Sequence, residues 1–370
     1  MKKLKYSFFV ILITILCVSP VNGQSTKTTL NPNKVTYPSY GSQSRATLLF
    51  PKVMGYEVVT CDFHMHTMFS DGLVWPSIRV LEAWTEGLDA IAITDHIEYR
   101  PYRKYTVNDH NTSYLIAKEA ADAAGLIAIK GTEITRTQKT IGHFNALFIQ
   151  DANPIDTSDA KASIMEAKKQ GAFIIWNHPG WAVDSTYIKE FQEDLFKDGL
   201  IDGIEVFNNT EFYPRVLAWA IEKGLTVIAA SDAHGEIEKS VLAKMGVHRP
   251  MTLVLASERT PQAIREALDK GRTLAYFHNN IAGREVFAKG FVDASIKTGL
   301  VSRREKSSDY LLTNLADFSF KFTYGKKEFF LPALSSIMIT VPNNTKSIHL
   351  VFGNIFIHEN QLLAHDLQLK

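Results

Sequence analysis

The stretch TCDFHMHTMFSDGLVWPSIRVLEAWTEGLDAIAITDH, residues 60–96, decides the predicted fold. Its pattern predicts an apolar strand that ends at His64 and His66, a loop, a helix, and a second apolar strand that ends at His96. Alternate residues of a strand share a face, so His64 and His66 point the same way. Either histidine alone would be interpreted as a polar loop residue, but two imidazoles on one face predict a cation site.

The same order of elements recurs along the chain: an apolar-periodic helix, a glycine, an apolar strand and a polar residue. Strands that alternate with helices indicate right-handed crossovers and a mainly parallel sheet. The polar residues at the predicted strand ends are His64, His66, Asp71, His96, Glu133, His143, His178, Glu205, Asp232 and His234. Because ligands from such distant strands must converge, we favour a (β/α) barrel with its site at the C-terminal mouth over a doubly wound open sheet.

The pattern changes near residue 286. Alternating apolar residues at 318–322, 337–341 and 348–352, with a turn signal at Asn343 and Asn344, predict short antiparallel strands. We therefore predict an α/β protein, with a barrel over residues 57–285 and a small C-terminal antiparallel β domain over residues 286–370. The role predicted for the β domain is to cap the barrel.

Residues 1–23 have a basic start, an apolar run and small residues at the end, which is typical of a secretory signal peptide. This predicts an exported, periplasmic bacterial protein without a stable membrane span, followed by an N-terminal arm over residues 24–56. Cys17 follows the bulky Leu16, so a lipoprotein anchor is the lesser alternative. Removal of the signal peptide leaves Cys61 as the single cysteine, which cannot form an intrachain disulfide.

Charge is balanced over the chain, with 40 Lys and Arg against 39 Asp and Glu. The basic residues are scattered, so there is no electrostatic footprint for a nucleic acid polymer. A length of 370 residues with 45% hydrophobic content accommodates one large domain and a smaller one. These features predict a small-molecule partner and leave the oligomeric state open.

Six histidines and several carboxylates exceed the ligands that one cation needs, which predicts two or three divalent ions sharing a carboxylate. Zn, Mn and Fe all accept nitrogen and oxygen ligands. Paired metals lower the pKa of a bridging water and stabilise both the entering and the leaving oxygen of an in-line displacement. Hydrolysis of a phosphate ester by a metal-bridging hydroxide is therefore the predicted chemistry.

The chain carries the motifs HxH, SDG, TDH, the isolated Glu133, His143, Asn-His178 and Asp-Ala-His. With these motifs it resembles the PHP (polymerase and histidinol phosphatase) superfamily over about residues 57–280. The resemblance implies a distorted (β/α)7 barrel that holds up to three Zn, Mn or Fe ions and hydrolyses phosphate esters. It also implies three ligand sets: His64, His66, Glu133 and Asp232 for the first ion, Glu133, His143 and His178 for the second, and Asp71, His96 and His234 for the third.

The signal peptide and the added β domain are most similar to exported bacterial PHP phosphodiesterases, which implies small organic diesters as substrates. A phosphomonoesterase acting on a nucleotide or sugar phosphate is the alternative, and a metal-dependent amidohydrolase or a non-catalytic PHP barrel is less favoured. The candidate catalytic residues are Glu133, Asp232, His234 and Arg136. Arg136, three residues past Glu133, is preferred as a phosphate contact over Arg100, Arg249 and Arg272.

Overall fold

The structure of the protein, a computed structural model, describes Asn33 and residues 44–237 and 248–370. The predicted signal peptide, residues 1–23, lies outside the described residues, as does most of the predicted arm before residue 44. None of the described helices is long and apolar enough to span a membrane.

Up to residue 230 the described strands alternate with helices except at two places where one strand follows another directly, and after residue 295 the strands follow one another closely. The strands are β1 (Glu57–Asp62), β2 (Ala90–Ile93), β3 (Ile127–Thr135), β4 (His143–Leu147), β5 (Phe173–Asn177), β6 (Gly203–Asn208), β7 (Glu211–Phe212), β8 (Thr226–Ala230), β9 (Met251–Ala256), β10 (Thr273–Phe277), β11 (Asn280–Gly283), β12 (Ile296–Arg303), β13 (Ser307–Asn314), β14 (Phe320–Tyr324), β15 (Lys327–Leu331), β16 (Ser336–Pro342), β17 (Ser347–His358) and β18 (Gln361–Gln368). The α-helices are α1 (Pro76–Thr85), α2 (Thr112–Ala124), α3 (Ala160–Lys169), α4 (Glu190–Lys197), α5 (Pro214–Glu222), α6 (Pro261–Asp269) and α7 (Glu285–Ser295).

Most strands belong to one large mixed sheet, in which β9, β1, β2, β3, β4, β5 and β6 are neighbours in that order and β8 lies beside β6. The pairs β1–β2, β2–β3, β5–β6 and β6–β8 are parallel. Every residue of β2 is buried, as is typical of a parallel strand that is covered on both faces. Strand β4 runs antiparallel to β3 and pairs His143 with Thr135, so it returns from the Glu133 loop as the sequence predicted.

The ends of β1 and β8 meet beyond the regular strands. Met65 and Ala233 form a parallel bridge, in which the His66 amide donates to the Ala233 carbonyl at 3.0 Å and the Asp232 amide donates to the His64 carbonyl at 2.8 Å. This contact brings the two segments that carry His64, His66, Asp232 and His234 to one place.

Two threonine hydroxyls link β8 to the antiparallel strands β9 and β10. Thr252 of β9 donates its hydroxyl to the Ala229 carbonyl at 2.9 Å and accepts the Ala229 amide at 3.1 Å. Thr273 of β10 donates to the Val227 carbonyl at 2.7 Å. Side-chain hydrogen bonds therefore supply the contact between β8 and these strands, which share no backbone ladder with it in the described residues.

The C-terminal strands divide between two sheets. Strands β12, β13 and β16 form a separate three-stranded antiparallel sheet, whereas β17, together with β14, β15 and β18, joins the large sheet through a parallel pairing with β11. The structure is thus a mixed α/β fold with a large sheet and a small separate antiparallel sheet.

Helix α7 lies where the sequence pattern predicted that helices had ended. Its buried residues Ala288, Phe291, Val292 and Ser295 follow a helical period, but Gly290 interrupts the pattern. A Cβ atom on Gly290 would come 2.8 Å from the Met54 side chain, so glycine there permits close packing. The prediction missed α7 because a residue that disfavours helix formation is required by this contact.

A buried arginine supports the end of β1. Arg249, with 1% of its side chain exposed, pairs with Asp62 at 3.3 Å and with Glu86 at 2.9 Å. Asp62 also accepts the Ser231 amide and the Ser231 hydroxyl, at 3.1 and 2.6 Å, and so connects β1 to the residue that follows β8.

We expect Arg249→Met to lower the free energy of unfolding by about 3–5 kcal/mol, because it leaves the buried Asp62 carboxylate without its cation. Urea unfolding followed by circular dichroism measures the change. The control is Arg259→Met, which removes a 58% exposed arginine from its ion pair with Asp89 and should change stability by less than about 1 kcal/mol. Equal effects of the two substitutions would contradict the supporting role of Arg249.

Candidate metal centre

All nine predicted ligands lie at or just beyond the ends of strands on one edge of the large sheet. His64, His66 and Asp71 follow β1, His96 follows β2, Glu133 and His143 lie in β3 and β4, His178 follows β5, and Asp232 and His234 follow β8. His64, His66 and Glu133 are fully buried, whereas 23% of the Asp71 side chain and 38% of the His234 side chain are exposed. The cluster is therefore closed at its base and open at Asp71 and His234.

Glu133 is the centre of the cluster. Its Oε1 atom lies 3.3 Å from His64 Nε2, 3.3 Å from His143 Nδ1 and 3.5 Å from His178 Nε2. Its Oε2 atom lies 2.6 Å from His96 Nδ1 and 3.7 Å from His66 Nε2. One carboxylate thus contacts residues from all three predicted ligand sets.

A second carboxylate joins the two histidines of the HxH motif. The Nε2 atoms of His64 and His66 lie 3.1 Å apart, and Asp232 Oδ1 is 3.2 Å from the first and 3.1 Å from the second. These three donor atoms form a compact triangle whose size suits a common cation.

The third group lies at the open side of the cluster. Asp71 Oδ1 is 3.4 Å from His96 Nε2, 3.3 Å from His234 Nε2 and 3.9 Å from His66 Nδ1. The donors of His66 thus face both this group and the triangle with His64 and Asp232.

Three groups of donor atoms are close enough to hold an ion each, and they overlap at His64 and His66. The groups are His64, His66 and Asp232; His64, Glu133 and His178; and His66, Asp71, His96 and His234. His143, the ninth predicted ligand, lies beside Glu133. The structure brings all nine residues together, and the assignment of each one to a particular ion stays a prediction.

Charges in the cluster compensate one another. Burial acts to raise the pKa of Glu133, but His96, His64 and His143 hold that pKa well below its usual value. Burial acts to lower the pKa of His64, but nearby carboxylates, Asp232 foremost, raise it well above its usual value. Glu133 is therefore ionised at neutral pH, as a metal ligand must be.

The pKa values of His66 and His96 shift in opposite directions. Burial together with the His96 and His234 rings lowers the pKa of His66 to about 3, so its imidazole is neutral and able to bind a metal. Burial acts to lower the pKa of His96 as well, but Glu133 and Asp71 raise it to about 10. A metal that binds His96 must displace this proton.

Glu205 orients two of the histidines. Its Oε1 atom accepts a hydrogen bond from His64 Nδ1 at 2.8 Å, which leaves His64 Nε2 free to face the cluster. Its Oε2 atom accepts the His178 amide at 2.8 Å and the Asn208 amide group at 2.9 Å. Glu205 was noted in the sequence as a polar strand-end residue, and here it fixes ligands without joining the three groups.

The backbone at two ligands is strained. His178 has φ of 28° and Asp232 has φ of 51°, a region that non-glycine residues rarely adopt. Such conformations cost of order 1–3 kcal/mol and concentrate at functional sites. The cluster is therefore maintained against a local preference of the backbone.

Sequence reasoning missed the residues that hold the ligand loops. Asp95 accepts the Thr67 amide at 2.6 Å and the Ser70 hydroxyl at 2.7 Å, and so fixes the loop that carries Asp71. Arg79 of α1 is fully buried and donates to the carbonyls of His66, Ala233, His234 and Gly235 at 2.8–2.9 Å. Asp95 stands beside His96 in the TDH motif, but nothing in the sequence indicates that Arg79 lies beneath two distant loops.

The donor set fits divalent cations. Asp71 Oδ1 and His143 Nδ1 are buried and lack a hydrogen-bond partner among the described residues, although each lies near other donors of the cluster. Unpaired buried polar atoms are rare and require an explanation. Imidazole and carboxylate groups are the ligands that Zn, Mn and Fe share, so a divalent cation bound here would supply the missing partners.

The four arginines considered as phosphate contacts are each engaged by protein groups. Arg136 pairs with Glu98 and donates to the Thr157 carbonyl at 2.8 Å. Arg100 donates to the carbonyls of Phe69 and Val107, at 2.9 and 2.7 Å. Arg249 is buried against Asp62, and Arg272 pairs with Glu266. The role of Arg136 in substrate binding stays a prediction.

Comparison with known proteins identifies an extensive similarity to a solved structure. No family model matches the chain, and no curated protein matches it. The chain is 40% identical to a two-domain protein from Bacteroides vulgatus ATCC 8482 that contains a predicted PHP-like metal-dependent phosphoesterase, with a TM-score of 0.84 over 89% of this chain and 100% of that chain.

Two further solved structures are more distant. A proposed metal-dependent phosphoesterase from Bifidobacterium adolescentis ATCC 15703 is 19% identical, with a TM-score of 0.42 over 58% of this chain and 98% of that chain. An amidohydrolase from Chromobacterium violaceum is 17% identical, with a TM-score of 0.38 over 48% of this chain and 88% of that chain. The similarity to the Bacteroides protein confirms the resemblance drawn from the motifs: the chain belongs to the PHP-like metal-dependent phosphoesterases.

Proposed function

We propose that this protein hydrolyses small organic phosphodiesters with two or three divalent ions, Zn, Mn or Fe. The observation that carries the proposal is the convergence of eight of the nine predicted ligands in three overlapping groups of donor atoms. Three adjacent groups exceed what a structural ion needs, and multinuclear sites of this kind are suited to phosphoryl chemistry. Membership of the phosphoesterase family supports the same reaction class.

The residues that would hold the ions are the nine named above, with Glu133 shared between the first two predicted ligand sets. When bound, such ions supply Lewis acidity, which lowers the pKa of a water molecule and stabilises charge on phosphoryl oxygens. The contribution of the protein is to present neutral nitrogen and ionised oxygen donors in fixed positions.

Hydrogen bonds on the outer side of the cluster determine which ring nitrogen of a histidine faces the cluster. His234 donates Nδ1–H to the Asp232 carbonyl at 2.8 Å, which leaves its Nε2 atom facing Asp71. His64 is oriented in the same way by Glu205. The open side of the cluster at Asp71 and His234 is where a substrate phosphoryl group would enter, since the side chains of the other ligands are no more than 17% exposed.

We also propose that the large sheet closes into the distorted (β/α)7 barrel that the family resemblance implies. The strands β1, β2, β3, β4, β5, β6 and β8 are successive neighbours, and the Met65–Ala233 bridge joins the first of them to the last. The threonine contacts of β9 and β10 with β8 support the same closure. The site would then lie at the C-terminal mouth, as in other barrels of this type.

The preference for diesters over monoesters rests on charge. A monoester dianion carries a second phosphate charge, for which a cluster of free arginines is the usual partner. The arginines nearest the strand ends are all engaged by protein groups, Arg136 by Glu98 and Arg100 by two carbonyls. A diester, which carries one phosphate charge, therefore suits a site without free arginines better than a monoester dianion does.

Export to the periplasm, with residues 1–23 as a signal peptide, is proposed from the sequence alone. The division into a barrel over residues 57–285 and a β domain over residues 286–370 is likewise a proposal. The pairing of β11 with β17 implies that the two parts share a sheet.

We expect Glu133→Gln to lower kcat/KM at least about tenfold more than Asp71→Asn, a difference of about 1.4 kcal/mol. Glu133 contacts five histidines, whereas Asp71 contacts only the open group. Phosphodiester turnover and metal content are measured on each variant. Glu190→Gln, an exposed carboxylate at the start of α4, is the matched control. Near wild-type turnover and full metal content in Glu133→Gln would show that Glu133 bridges no ions.

For matched aryl substrates at one pH and one metal content, we expect a higher kcat/KM on the phosphodiester than on the phosphomonoester. The reason is the lack of free arginines for a second phosphate charge. An aryl amide is included in the panel and should not be hydrolysed. A monoester preference of tenfold or more would overturn the diester assignment, and turnover of the amide alone would favour an amidohydrolase.

A further inference from the structure

We infer that Trp181 forms the wall of a substrate subsite that accepts a planar, aromatic organic group of the phosphate ester. This inference rests on the proposed function and concerns its substrate class. It follows from where the indole lies, how it is held, and how much of it remains exposed.

Trp181 contacts two predicted metal ligands. Its ring centroid lies 5.3 Å from that of His178, with an interplanar angle of 72°, and 5.7 Å from that of His143, with an angle of 57°. Both histidines are buried, yet 45% of Trp181 is exposed. The indole therefore covers the ligands with one side and presents another to solvent beside the cluster.

A tight turn holds Trp181 in this position. The Trp181 amide donates to the His178 carbonyl at 3.0 Å, and Gln138 Nε2 donates to the same carbonyl at 3.1 Å. Between them, Gly180 packs so closely that a Cβ atom would lie 2.5 Å from the Tyr213 ring. The backbone of Trp181 is thus fixed to the backbone of a ligand.

Exposure of a tryptophan on a fixed turn is unfavourable for folding, because burial of its apolar surface would stabilise the protein. Aromatic side chains that line a concave site next to a few convergent polar groups are typical of ligand pockets. The exposed side of the indole is therefore available to a ligand.

A second aromatic side chain lies farther along the same mouth. Tyr99 is 55% exposed, and its ring centroid is 6.1 Å from that of His96, which is itself 6.0 Å from that of His143. Trp181 therefore contacts one member of the His143–His96 pair and Tyr99 contacts the other. Two aromatic surfaces at this pair suit a diester, whose phosphorus carries two organic groups.

The chemistry of an aromatic wall defines the ligand class. Stacking on an indole favours a planar ring and tolerates ring identity, whereas an alkyl group gains less. The subsite therefore selects aryl or heteroaromatic esters as a class over methyl or other small alkyl esters.

The test uses phenylphosphonate and methylphosphonate, which share a phosphoryl group and are not hydrolysed. Calorimetry on the metal-loaded full chain should give a Kd for phenylphosphonate at least about fivefold lower than for methylphosphonate. Trp181→Ala should abolish this preference and leave methylphosphonate binding within about twofold. Trp181→Phe, which retains a ring, should keep most of the preference.

The control is Phe330→Ala, which removes a 54% exposed aromatic side chain from β15 and should leave both Kd values unchanged. Metal content is measured on every variant. If Trp181→Ala weakens both phosphonates equally, or changes neither, Trp181 only packs on the histidines and the inference is overturned. If the wild type binds neither phosphonate and hydrolyses no ester, the proposed function fails as well.

Discussion

The structure depends on one buried carboxylate, that of Glu133, surrounded by five imidazoles. Its two oxygens lie within 3.7 Å of ring nitrogens of His64, His66, His96, His143 and His178. Taking such a charge out of water is costly unless it is paired and hydrogen-bonded. The strands that deliver these histidines must therefore end at the same edge of the sheet, and the Met65–Ala233 bridge and Arg79 hold the last pair of ends together.

The protonation pattern links this cluster to its metals. The cluster places His66 in the neutral form and His96 in the protonated form. Metal binding replaces histidine protons as the partners of the carboxylates, so it is coupled both to pH and to folding. Cations that bind only the folded chain would add stability by mass action. The strained backbone at His178 and Asp232 belongs to the same arrangement, since it persists only where the surroundings enforce it.

The sequence predicted much of this arrangement because strand ends are marked by simple patterns. A period of two placed His64 and His66 on one face, and β4 was predicted to return beside Glu133. Helix α7 was missed because Gly290, which serves a close contact, broke its pattern. The pairing of β11 with β17 was also missed, since parallel partners so distant in sequence leave no local signal. The partners of Arg79 and Arg136 could not be predicted from the sequence either, because tertiary packing alone decides which carbonyl or carboxylate an arginine contacts.

Anomalous diffraction from crystals of the metal-loaded protein, recorded at the Zn, Mn and Fe absorption edges, tests the central claim most directly. The account predicts two or three anomalous peaks within the cluster, with Glu133 as a ligand common to at least two of them. A single peak, or peaks that leave Glu133 uncoordinated, would contradict the multinuclear centre on which the proposed chemistry depends.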